Sequence, residues 1–145
     1  MAFLNRLLGL FKTSSFTREP SRFAAPVSRD EILARFVFRV SQLYADGSGA
    51  KPSAYLPRNG TTSVYRIAGL ESNEVRALGA AHLRNPTPIA HAVSLAGTVL
   101  DAGLDFDVNN TPERHVNIVG WPPRKEEQKL VALKLASAGG LVRYA

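Results

Sequence analysis

Two short segments in the last third of the chain alternate so regularly that they call for a β-hairpin. Leu104, Phe106 and Val108 are apolar and are separated by Asp105 and Asp107, and His115 to Trp121 alternates again with Val116 and Ile118 on one side. A period of two sends successive side chains to opposite faces of a strand. If Phe106 and Ile118 face a core, Val108 stands opposite Val116, Asp107 opposite Asn117, and Asn109 opposite His115. The outward face then gathers Asp105, Asp107, Asn109, His115 and Asn117 into one polar cluster.

The remaining elements follow from similar patterns. Arg35 to Tyr44 reads as a strand, with Phe36, Phe38 and Val40 alternating with Arg35, Val37 and Arg39. Asn59-Gly60 marks a tight turn, and a strand runs from about Thr62 to Ala68. Ser72 or Asn73 can cap a helix reaching about Arg84. Thr87 followed by Pro88 suits the start of a second helix, which Gly103 would stop after Ala102. A last helix begins near Pro123 with Leu130, Val131, Leu135 and Ala138 on its apolar side. Gly139-Gly140 closes it, and Leu141 to Tyr144 adds an edge strand. Strands in pairs with helices between them give an α+β fold. The expected architecture is an antiparallel or mixed sheet of four to five strands, with three helices packed mainly on one face. The order lacks βαβα alternation, and no glycine-rich phosphate loop is present, which argues against a doubly wound nucleotide fold.

The first 28 residues differ from the rest. Phe3, Leu7 and Phe11 recur at helical spacing, as do Leu4 and Leu8, while Asn5, Arg6 and Lys12 stay off that stripe. Thr13 to Ser28, with Pro20 and Pro26, has linker composition. The expected organisation is an amphipathic, basic helical arm and linker over 1–28, followed by one α+β domain over 29–145. The net charge is +6, and residues 1–30 carry half of it. A basic arm with an apolar stripe fits docking onto another protein chain or an anionic membrane surface. Its composition before Glu19 also resembles that of an organellar transit peptide. No stretch reaches the roughly 20 apolar residues of a spanning helix, and a cytoplasmic location is expected.

Cysteine is absent, which excludes thiol catalysis, cysteine-based zinc sites and disulfides. The three histidines, His82, His91 and His115, match no metal-ligand spacing. Neither a metal nor a cofactor is expected. On the assigned second helix, His91, Ser94, Thr98 and Asp101 form a polar line that reads as its solvent-facing strip.

Three functions are compatible with these residues. The first is an accessory protein that binds a partner through Phe3, Leu7 and Phe11 of the arm. The second is a small phosphodiesterase or ribonuclease with His115 as acid or base, oriented by Asp107. Arg35, Arg39, Arg66 and Asn117 would hold the phosphate. The third is a non-catalytic nucleic-acid-binding module. The polar hairpin face has a plainer reading as well, since antiparallel sheets commonly leave one face in water.

Overall fold

The computed structural model describes residues 22–83, 86–109 and 111–144. The expected arm helix, with Phe3, Leu7 and Phe11, lies outside the described residues.

Six strands and three α-helices make up the described fold. In chain order they are β1 (Ile32–Val37), β2 (Thr62–Arg66), α1 (Ser72–His82), β3 (Ala90–Leu95), α2 (Ala96–Asp101), β4 (Asp105–Asp107), β5 (His115–Val119), α3 (Lys125–Ala138) and β6 (Gly140–Arg143). The strands form one sheet in the order β4-β5-β2-β1-β3-β6, and every neighbouring pair is antiparallel. The fold class is therefore α+β, with six strands where four to five were expected.

The extra strand is β3. The segment expected to be a long second helix is a strand followed by a six-residue helix. β3 pairs with β1 along six residues and with β6 along four. Ala90, His91, Ala92 and Ser94 are all buried, because β3 is covered on both faces. A strand with no solvent face loses its period-two signature, and its run of small apolar residues then looks helical. One consequence is that His91 and Ser94 point to opposite faces of the sheet and do not share a helical line.

Helices cover both faces. On one, Leu33, Val37, Val64, Val116 and Ile118 pack with Val99 of α2 and with Ala132 and Leu135 of α3. On the other, Ala34, Phe36, Tyr65 and Ile67 pack with Val75 of α1. Gly79 lets α1 come close: a Cβ there would stand 2.5 Å from the Phe36 ring. The N-terminus of α1 is fixed by a reciprocal capping box between Glu71 and Glu74, so the cap is Glu71 and not the expected Ser72 or Asn73. In α3, Val131 and Leu135 face the core as expected, whereas Leu130 and Ala138 point outward.

β1 begins three residues earlier than expected and ends at Val37, where the chain turns through a 3-10 turn at Val40–Gln42. Before β1, the Phe23–Pro26 segment is tied to the domain. Arg66 donates hydrogen bonds to the carbonyls of Phe23, Ala25 and Pro26 at 2.9, 2.6 and 3.3 Å. The same guanidinium forms a fork with the Glu31 carboxylate at 2.5 and 2.8 Å. No described helix is long and apolar enough to cross a membrane.

Candidate nucleic-acid interface

β1 is bonded to its two neighbours unequally. With β3 its ladder runs the whole length of the strand, but with β2 the register covers only Leu33↔Arg66 and Ala34↔Tyr65. β1 and β2 part beyond Ala34, and backbone groups released by a parting ladder need other partners. Arg35 supplies one. Its Nη1 donates to the Ser63 carbonyl at 2.9 Å and its Nε to the Ala54 carbonyl at 2.8 Å. The guanidinium thus sits like a wedge where the sheet opens.

The opening continues into a cleft of about 960 Å³. Phe36 and Tyr65, ring edge to ring face at 5.4 Å, stand beside the last pair of the ladder. His82 and Leu83 at the end of α1 contribute one wall, with the His82 ring parallel to Tyr65 at a centroid distance of 6.5 Å. Leu56 and Pro57 contribute another. Arg39 comes from the loop after β1 and Arg58 from the tight turn before β2. That turn is the expected Asn59-Gly60 one, with φ of +54° and +79° at the two residues.

The electrostatics of the cleft are one-sided. Arg35, Arg39 and Arg58 line it, and among the described residues no Asp or Glu does. Arg35 forms no ion pair among the described residues. Burial pushes its guanidinium below the usual arginine range; Tyr55 opposes that shift and Arg58 adds to it. Desolvating a cation without a counter-ion is costly, and a second cation nearby raises the cost. A smaller recess shares Leu56 and Pro57 with the cleft and is lined by Lys125 and Lys129 of α3, so basic groups continue beyond the main opening.

The residues expected to form a site divide between different places. The hairpin register is as expected: Phe106 pairs with Ile118 and Asp107 with Asn117. The ladder stops there, and Asn109 instead accepts from the Thr111 amide within the connecting loop. β5 pairs on its other side with β2, not β1, so the face holding Asp107, Asn117 and His115 continues to Ser63 and Tyr65. Arg35 side-steps that cluster, since its neighbours Ala34 and Phe36 are the ones that share the face with Tyr65. Arg39 lies beyond the strand, in the cleft wall.

Arg66 is buried and paired with Glu31, which takes it out of any ligand site. His115 places Nε2 3.1 Å from the Ser63 hydroxyl, while its buried Nδ1 has no hydrogen-bond partner. Burial lowers its pKa, and the Asp107 charge opposes that shift from a distance. A carboxylate that orients a catalytic histidine bonds one ring nitrogen, and Asp107 does not. A second pair with histidine chemistry, His91 Nδ1 with the Tyr144 hydroxyl at 2.7 Å, joins a buried imidazole beside Phe36 to a half-buried tyrosine, and neither residue lines the cleft. Among the described residues no group of His, Asp and Glu is placed to hold a metal ion.

Sequence reasoning missed the cleft itself. Arg58, His82 and the carbonyl-bound Arg35 come together only because a ladder ends early, and strand periodicity carries no sign of where that happens. No protein-family model, curated protein or solved structure matches the chain.

Proposed function

We propose that this protein is a non-catalytic module that binds single-stranded nucleic acid in the cleft between β1 and β2. The observation that carries the reading is a concave site lined by Arg35, Arg39 and Arg58 with no carboxylate among the described lining residues. A phosphate chain would neutralise charges that have no ion-pair partner among the described residues. Arginine is suited to this, since its planar fork meets two phosphate oxygens at once. Lys125 and Lys129 extend the basic track away from the cleft and suit a polymer better than a compact anion. Apolar walls at Phe38, Leu56 and Pro57 offer surfaces for bases. A recessed slot also suits a flexible strand better than a duplex.

Binding is tested by fluorescence anisotropy with labelled single strands and duplexes over a range of salt. Single strands lose about 0.7 in the log–log salt slope per phosphate neutralised. Three arginines therefore give a slope near about −2, or about a 20-fold loss of affinity for a fourfold rise in salt. Binding that is flat with salt, or equal for duplex and single strand, contradicts the reading.

A hydrolytic role for His115 and Asp107 draws less support. The imidazole meets the cleft through Ser63 and the Tyr65 ring, and its second nitrogen has no hydrogen-bond partner among the described residues.

A further inference from the structure

The polar side of the sheet does not stop at the rim of the cleft. Ser63 lines the cleft and stands opposite Asn117 of β5, which in turn stands opposite Asp107 of β4. Residues directly opposite in antiparallel strands send their side chains to the same face. The three therefore form one row, leading outward from the cleft over two strand spacings, or about 10 Å. Ser63 and Asn117 are half-buried and Asp107 is exposed, so the row is open to a ligand.

The row changes chemical character along its length. At the cleft end Arg35 donates to the Ser63 carbonyl, and Arg39 and Arg58 line the same opening. The Ser63 hydroxyl is already engaged by His115 Nε2 at 3.1 Å. Asn117 offers an amide that both donates and accepts, whereas the Asp107 carboxylate only accepts. Neither side chain has a hydrogen-bond partner among the described residues. Asp105, by contrast, turns its carboxylate onto the Phe106 amide at 2.8 Å. Cations at one end and an acceptor at the other match the two ends of a nucleotide. Its phosphate belongs with the arginines and is repelled by a carboxylate, so its base points along the row toward β4.

The donor pattern then selects among the bases. In a single strand the pairing edge of each base is free to be read. Guanine alone presents two adjacent donors, a ring N–H and an amino group, beside a carbonyl. Adenine and cytosine would set a ring-nitrogen lone pair against the carboxylate, and thymine or uracil a carbonyl. Resting on the nucleic-acid reading above, we infer that the Ser63–Asn117–Asp107 row is a base-reading subsite selective for guanine. Asp107 accepts from the ring N–H and the amino group, and the Asn117 amide donates to the carbonyl. The wrong bases are rejected by unpaired acceptors as much as the right one is attracted.

The test uses the full chain and a short oligothymidylate carrying one central guanine, hypoxanthine or adenine, read by fluorescence anisotropy. The guanine strand should bind at least about tenfold more tightly than the adenine strand, which corresponds to about 1.4 kcal/mol. Hypoxanthine, which lacks the amino group, should fall between them. Asp107→Asn should erase the guanine preference, and Asp105→Asn, which removes a neighbouring charge, should keep it. Both positions are exposed, so the pair separates recognition from folding. Equal affinity for all three strands, with steep salt dependence retained, overturns the guanine subsite and leaves the binding module standing. No binding by any strand overturns both. A guanine preference that survives Asp107→Asn, or is lost equally in Asp105→Asn, overturns the role given to Asp107.

Discussion

Arg66 and Arg35 belong to adjacent, paired strands, yet they do opposite things. Arg66 meets a carboxylate through two nitrogens and three backbone carbonyls through the rest of its fork. Every direction in which it can donate ends on the protein, so it ties Glu31 and the Phe23–Pro26 segment to β2. Among the described residues Arg35 meets two carbonyls and no carboxylate, beside a cleft shared with two other arginines. A buried charge that is fully paired is a structural device. One that is desolvated and left without a counter-ion marks a place where an anion can bind. Local environment separates the two residues, and composition does not.

Breaking the paired site should have the largest effect on stability. Glu31→Gln leaves the Arg66 charge buried with carbonyls alone, and the expected cost is about 3–5 kcal/mol, read from urea unfolding. Affinity for single strands should be unchanged where that variant remains folded. Arg35→Met reverses the pattern. It removes two hydrogen bonds but also a desolvated charge, so the expected cost is only about 1–2 kcal/mol, while strand binding is lost. Similar stability losses in the two variants would erase the distinction between the sites.

The packing that shapes the cleft comes next. Gly79→Val places carbon where the Phe36 ring lies and forces α1 away from the sheet. Overpacking of this kind costs about 1–3 kcal/mol. His82 and Leu83, at the end of the same helix, should move with it. Calorimetry should show a lower Tm, and anisotropy a weaker complex. An unchanged complex would place the ligand somewhere other than against α1.

This contrast was only partly legible in the sequence. Alternation identified the β4–β5 hairpin and its register, because that hairpin has one face turned outward and a period-two signal survives. It failed at β3, where both faces are covered and Ala90 and Ala92 give no polar mark. It placed Arg35 opposite Phe36, but periodicity along one strand cannot show that the neighbouring ladder ends after two pairs. Nothing local joins Arg66 to Glu31, which is 35 residues away. The hydrogen-bonding demand of a parted ladder is a property of two strands together, and so is the cleft it opens.

Acid should affect stability more gently. Burial lowers the pKa of both His91 and His115. An unfolded chain begins to protonate its histidines near pH 6.5, where these two remain neutral in the fold. The unfolded state then binds more protons, so stability is intact above about pH 6.5 and declines as the pH falls toward the folded values. The urea midpoint should drop over that interval, and His115→Asn should flatten part of the drop. A midpoint that rises on acidification would contradict the burial of neutral imidazoles.

The smallest stability change belongs to the exposed arginine of the cleft. Arg58→Ala should leave stability within about 0.5 kcal/mol and reduce the salt slope of strand binding by about 0.7. Thermal unfolding and a salt titration of the same sample measure both. An unaltered slope would remove Arg58 from the phosphate path.

The most direct test follows the arginine side chains themselves. In nitrogen-15-labelled protein titrated with a short single strand, guanidinium resonances report on each fork separately. The Arg35 and Arg58 signals should shift saturably together, while the Arg66 signal, held by Glu31, stays in place. Saturable binding with the Arg35 and Arg58 signals unmoved would contradict the assignment of the cleft.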